Sequence, residues 1–189
     1  MPKLTELKHL SILTPSIDRS QGIHLTDIMR ALKWDKYREA FGEPTAEIRL
    51  IWECGFIWER VLSEGIYKPA GIIRPEPICL DKIWCSPDGI DRKGIFVPGG
   101  GLIEDKYTDR SEAKHEILED WWFMTQAKSY CKVTGYNKTL FRILYASGDY
   151  SRKIGRRKID RYYLIEFTDQ EINDNWSLIL NYAHNKGLI

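Results

Sequence analysis

This sequence is poor in the features that mark secreted, membrane-spanning or strongly basic chains. Its four cysteines, Cys54, Cys79, Cys85 and Cys131, include no C-x-x-C pair, which reads as reduced thiols rather than a disulfide framework. No apolar run comes near the ~18–20 residues needed to span a bilayer. The opening MPKLTELKHL carries no apolar signal core. The expectation is a soluble, intracellular and cytoplasmic protein with no membrane partner. An excess of charge of one sign is also absent, since 28 Lys and Arg face 27 Asp and Glu for a net charge of +1. Net charge therefore announces no nucleic-acid partner, and any such contact must come from local charge.

What is present suits one domain over residues 1–189. The chain is 43% hydrophobic, and a chain of this size buries about 70% of its unfolded surface. Residues 1–23, with TPSIDRSQG, read as a turn-rich N-terminal arm. LTDIMRALK has the helical spacing of Ile28, Met29 and Leu32. TAEIRLIWECGFIWERVLSEG predicts a stronger helix, with Thr45 as N-cap and Gly65 as stop. Three short strands are expected at about 77–86, 94–98 and 102–108, punctuated by SPDG and PGGG. Asp109-Arg-Ser-Glu112 reads as a capping box opening a largely buried helix through about residue 131, with Trp121 and Trp122 in the core. LFRILYA and RYYLIEF predict two more strands. TDQEINDNWSLILNYAHNK predicts a final helix with Trp176, Ile179, Leu180 and Ala183 on one side.

Three charges interrupt the apolar strand in GGGLIEDKYT. Alternation sends Leu102, Glu104 and Lys106 to one face and Ile103, Asp105 and Tyr107 to the other, so an acid and an amine share a face. GGG is followed by a strand and not a helix, which makes it a hairpin turn and not a phosphate cradle. On the helix after Pro44, Ile48, Trp52, Gly55, Glu59 and Leu62 form one stripe. Glu59 is thus a carboxylate aimed at the packed side, which needs a partner, a hydrogen bond or a metal. Gly55, one turn earlier, lets the helix come close to what it packs on. Asp88 sits at the end of a strand in Pro87-Asp88-Gly89. One sheet can then present Asp88, Glu104 and Lys106 together, with Glu59 from the helix packed against it. Such a group of carboxylates can hold a hard divalent cation through oxygen. That chemistry serves phosphodiester hydrolysis, with a lysine to orient or polarise water.

In this order, Gly55-x-x-x-Glu59, Ser86-Pro87-Asp88-Gly89, Ile103-Glu104-Asp105-Lys106 and Gln126-Ala-Lys-Ser-Tyr130 resemble the motifs of the PD-(D/E)XK nuclease superfamily. The likeness is to its RecB-like branch, especially phage-type exonucleases related to lambda exonuclease and the YqaJ family. It covers residues 45–131 as a motif-bearing core, with residues 140–189 adding C-terminal strands and a helix. The resemblance implies an α/β fold of restriction-endonuclease-like core, a mixed central β-sheet flanked by α-helices. It implies Mg2+ or Mn2+ held by Glu59, Asp88 and Glu104 with the Asp105 backbone carbonyl, Lys106 as catalytic lysine, and Gln126 and Tyr130 steadying the lysine side or a DNA phosphate. The implied activity is a DNA exonuclease of recombination or processing, virus-encoded like the phage-type members. A structure-selective or restriction-type endonuclease is the alternative, or a non-catalytic nucleic-acid-binding module, against which the intact Glu59, Asp88, Glu104 and Lys106 argue. Self-association and a recombination partner protein stay open. Two positions depart from the pattern: many RecB-like relatives have His where Glu59 stands, and Asp105 replaces an apolar residue. Some RecB-like nucleases hold an iron-sulfur cluster with a late group of three cysteines. None lies beyond Cys131 here, so no iron-sulfur cluster is expected. Finally, SRKIGRRKIDR packs six basic residues into eleven, and Lys153, Arg156, Arg157 and Lys158 are candidates for DNA-backbone contact.

Overall fold

Strict alternation of half-buried and buried side chains marks β5 (Lys138–Tyr145), the segment KTLFRILY, as the centre of a sheet. The computed structural model describes residues 22–37, 45–108, 115–146 and 160–189. Most of the N-terminal arm, the segment Asp109–Glu112 and the basic residues Lys153, Arg156, Arg157 and Lys158 lie outside the described residues. Four strands lie side by side in the order β3 (Gly89–Asp91), β4 (Gly101–Thr108), β5 and β6 (Asp160–Glu166). β4 runs antiparallel to β3 but parallel to β5, and β6 is antiparallel to β5. The sheet is therefore mixed. Helix α4 (Trp121–Thr134) lies in the chain between the two parallel strands, as a parallel pair requires of its connection.

The two faces bury different helices. Leu102, Phe141 and Ile143 share one core with Leu25, Ile28 and Met29 of α1 (Leu25–Tyr37), Ala127 and Tyr130 of α4, and Trp176 and Ile179 of α5 (Asp169–Asn185). Ile103, on the other face, packs with Leu62 at the end of α2 (Ala46–Leu62), Tyr67, Ile72 and Val97. The expected mixed central sheet flanked by helices is the architecture observed. The α1 residues and the last helix stand as the periodicity predicts, the latter with a Thr168–Glu171 capping box.

Several boundaries differ, each for a local reason. The expected strand 77–86 is a hairpin of β1 (Ile78–Leu80) and β2 (Ile83–Cys85), turned at Asp81 and Lys82, both at positive φ. Residues 94–98 form no strand. The second strand of the meander is β3, which begins inside the Pro87-Asp88-Gly89 turn signal, so Asp88 precedes a strand instead of closing one. The loop that replaces the expected strand folds around the buried Asp91 carboxylate, which accepts the backbone N–H groups of Lys93, Phe96 and Val97. Thr45 caps α2 as expected, accepting the Ile48 N–H, but Gly65 does not stop the helix. It continues through a π turn, Ser63–Tyr67, and a short α3 (Lys68–Ala70), ending at Gly71 with φ 75°. α4 begins only at Trp121, where Asp120 accepts the Phe123 N–H, and residues 117–119 form a 3-10 turn. Its start is thus later than the Asp109 capping box predicts, and Trp121 and Trp122 pack against the core as half-buried side chains. In the GGG turn, Gly99 and Gly100 take positive φ, and Gly101 has no room for a side chain, since a Cβ there would lie 2.6 Å from Val97 and 2.7 Å from the Lys138 carbonyl.

Candidate active site

β3 covers β4 only from Gly101 to Ile103, and beyond that point the edge of β4 is taken by a side chain. The Asp105 N–H donates to Asp88 Oδ2 at 3.0 Å. In a strand, the N–H and C=O of one residue point to the same side, so the Asp105 carbonyl faces this edge too. The alternation predicted for β4 is observed. Glu104 lies on the α4 face, and Lys106 reaches over the Phe123 ring at 5.8 Å. Asp105 points to the α2 face, where the Tyr67 hydroxyl donates to its carboxylate at 2.6 Å. Tyr67 explains how a strand that ordinarily carries an apolar residue here tolerates an acid. Gly55 also brings α2 near β4, with its Cβ position 3.7 Å from that of Tyr107.

Glu59 enters from α2, over the face opposite Glu104. The site therefore straddles the sheet edge, with Asp88 between the two glutamates. Five side chains form one string of alternating charge. Arg74 Nη2 lies 3.3 Å from Glu59 Oε2 and 3.9 Å from Asp88 Oδ1, and Lys106 Nζ lies 3.9 Å from Asp88 Oδ2 and 2.7 Å from Glu104 Oε2. A cavity of about 620 Å3 opens beside them, lined in part by Phe56, Arg74, Trp84, Gln126 and Tyr130. Gln126 Nε2 donates to the Tyr130 hydroxyl at 2.8 Å, so the two expected partners on α4 meet each other at its wall.

Crowded carboxylates with little water around them resist ionisation. Burial, then the nearby Asp88 charge, pushes Glu59 up to about 7 against the pull of Lys106 and Arg74. Burial likewise raises Asp105 to about 7, with the Tyr67 hydrogen bond opposing. Glu104, only 1% exposed, is driven upward by burial, with Lys106 pulling back. Lys106 is itself held protonated by Glu104, Asp88 and Glu59 despite its burial.

Raised folded-state values of acids mean stability that is full below the ordinary carboxylate range and is lost as pH rises through about 7. In EDTA, melting temperature should therefore fall between pH 5 and pH 8. A tenfold change in the proton affinity of one group is worth about 1.4 kcal/mol. Because the groups share one field, we expect about 2–3 kcal/mol in all, a drop of about 5–10 °C for a chain of this size. Excess Mg2+ at pH 8 should recover much of it by mass action. A melting temperature flat or rising over that window would contradict the described crowding.

Do these residues suit a divalent cation? Among the described residues, no three His, Cys, Asp or Glu side chains stand together as a formed metal cluster. The carboxylates are instead interleaved with two cations. Yet the donor set is hard oxygen, and Glu104 Oε1 is buried with no hydrogen-bond partner. An orphaned buried acceptor of this kind is open to a cation. The residues fit such an ion once Arg74 gives way.

The apolar stripe of α2 is buried only in part. Leu62 is buried, but Ile48 and Trp52 are 41% and 42% exposed, so the predicted packed face covers the C-terminal half of the helix alone. Two contributors to the site carry no motif signal, Tyr67 and Arg74. For Arg74, the run Arg74-Pro75-Glu76-Pro77 just ahead of the Asp88 segment is a usable hint, because prolines hold a basic side chain on rigid, extended backbone.

By sequence, no family model and no curated protein matches the chain. By structure, it is similar to the crystal structure of SSO0001, with TM-score 0.52 and 15% identity over 90% of this chain and 77% of that one. This likeness is one of fold. Its structural neighbours include a phage-related exonuclease from Haemophilus somnus 129PT, with TM-score 0.49 and 11% identity over 86% of this chain and 81% of that one. They also include the alkaline exonuclease LHK-Exo from Laribacter hongkongensis, with TM-score 0.46 and 13% identity over 89% of this chain and 94% of that one. No helix among the described residues is long and apolar enough to cross a membrane.

Proposed function

We propose that the protein is a metal-dependent DNA nuclease of the PD-(D/E)XK type, acting from DNA ends in recombination or processing. The observation that carries this reading is the string Glu59–Arg74–Asp88–Lys106–Glu104 at an open sheet edge, with the Glu104 Oε1 atom left without a partner. Mg2+ or Mn2+ held by Glu59, Asp88 and Glu104, with the Asp105 carbonyl, would neutralise charge on a non-bridging phosphate oxygen and supply hydroxide near neutral pH. Lys106 keeps its proton and orients the attacking water. Its ammonium lies over the Phe123 ring and is bonded to Glu104, so little motion separates it from the reacting atoms. Tyr130, hydrogen-bonded by Gln126, walls the Lys106 side. Lys153, Arg156, Arg157 and Lys158 are assigned to the DNA backbone, where phosphate contacts position the duplex without reading its sequence.

Action from an end makes a specific prediction. Linear duplex with Mg2+ or Mn2+ should be degraded progressively, while covalently closed duplex of the same sequence stays intact. Cutting of the closed circle would move the reading to an endonuclease. Binding without cutting of either, in both metals, would make this a non-catalytic nucleic-acid module.

A further inference from the structure

The alternating string contains one residue that the motifs do not call for. Arg74 places a single guanidinium nitrogen against both Glu59 and Asp88, the carboxylates assigned above to the metal. Its base is rigid. Ile73 and Ile90 exchange both backbone hydrogen bonds, at 2.8 and 3.3 Å, which pins the segment alongside β3. Pro75 then holds the Arg74 backbone extended. Its head has room to swing, since the side chain is 51% exposed and lines the cavity beside the site. A residue anchored at the edge of the cluster, with an exposed cationic head between two carboxylates and solvent, can serve two anions in turn.

We propose that Arg74 is an exchangeable counter-ion. It neutralises Glu59 and Asp88 while no metal is bound, yields to the divalent cation, and then turns its guanidinium to a DNA phosphate at the cavity mouth. The physical basis is competition. A guanidinium and a divalent ion cannot both lie between the same two carboxylates, because the cations repel at that range. Once displaced, the planar fork matches two non-bridging phosphate oxygens, which a lysine ammonium does not. In the metal-free protein the same group keeps the two acids from repelling one another. The phosphate half of this proposal rests on the nuclease reading; the counter-ion half needs only that the carboxylates bind a divalent ion.

The test uses Arg74→Gln and Arg74→Lys in the full chain, with melting temperature at pH 6 confirming that both fold. Mn2+ affinity is measured by calorimetry without DNA. Affinity for a labelled linear duplex is measured by anisotropy in Ca2+, so neither reading depends on hydrolysis. Arg74→Gln should bind Mn2+ about three- to tenfold more tightly, because a competing cation has gone. It should bind DNA about tenfold more weakly, with the slope of log affinity against log salt shallower by about 0.7–0.9. Arg74→Lys should return Mn2+ affinity to near the native value, since a cation is restored, while DNA affinity stays low. Weaker or unchanged Mn2+ binding in Arg74→Gln would overturn the counter-ion role, and unchanged DNA affinity would overturn the phosphate role. A native protein that shows these metal and DNA effects yet cleaves nothing would refute the nuclease reading while leaving the behaviour of Arg74 as stated.

Discussion

Replacing Glu104 with Gln should abolish DNA hydrolysis, a loss of at least about a thousandfold in turnover, and Asp88→Asn should do the same. Each removes an anionic oxygen from a site whose proposed chemistry depends on a divalent cation. A Lewis acid contributes several kcal/mol to the barrier, and each 1.36 kcal/mol is about tenfold in rate. The two variants should differ in stability. Asn at position 88 keeps an oxygen to accept the Asp105 N–H, so the metal-free protein should melt close to the native temperature. Gln at position 104 keeps an oxygen but removes the negative charge 2.7 Å from Lys106, leaving a mostly buried ammonium whose remaining counter-charge is Asp88 at 3.9 Å. A buried charge stripped of its nearest partner is costly, and we expect Glu104→Gln to lose about 1–3 kcal/mol. Single-turnover assays and thermal melts in EDTA check both halves. Residual hydrolysis within tenfold of native in either variant would remove that residue from the catalytic set.

Lys106→Met should lower turnover by about 10²–10⁴, the range for a side chain positioned to act on the attacking water, while Mn2+ affinity is retained or rises. Methionine keeps an apolar stem of similar length but carries no charge, so the ammonium over the Phe123 ring is lost with the ion pair. The Glu104 carboxylate then faces the metal without a competing ammonium. In EDTA at pH 8 the variant should be less stable than native, because Glu104 is left buried and unpaired, and divalent metal should restore most of the difference. Calorimetry together with kcat separates the roles. Lost Mn2+ affinity with an intact fold would make Lys106 a structural clamp of Glu104, and unchanged kcat would exclude it from chemistry.

The parts of the molecule legible in the sequence are those where side-chain period and burial agree. β5 alternates without exception, and the last helix presents Trp176, Ile179 and Ala183 to the core as its spacing predicts. The two faces of β4 are readable for the same reason, which is why Glu104 and Lys106 can be paired from GGGLIEDKYT alone. Pattern fails where a local signal has two meanings. Gly89 is both a turn residue and the first residue of β3, so the short strand is hidden inside the turn. Gly65 looks like a helix stop, but the chain continues to Gly71, where positive φ makes glycine necessary. Lys82, an uncommon residue at positive φ, conceals the β1–β2 hairpin. The apolar stripe on α2 foretells burial at Leu62 but not the exposure of Ile48 and Trp52, since periodicity fixes a face and not what covers it. For Arg74 the run Arg74-Pro75-Glu76-Pro77 marks a basic residue on rigid backbone but not its partners. Its partners, Glu59 and Asp88, are each about fifteen residues away in sequence, and only the Ile73–Ile90 pairing brings it to them.

The most direct measurement is hydrolysis of end-labelled linear DNA by the purified chain, in EDTA and then with Mg2+ or Mn2+ added back in excess. Cleavage should be absent in EDTA, appear on addition of either metal, and fail to appear in Asp88→Asn under the same conditions. Cleavage that persists in EDTA, or its absence with every divalent metal tried, would contradict a carboxylate-held metal as the agent of phosphodiester hydrolysis.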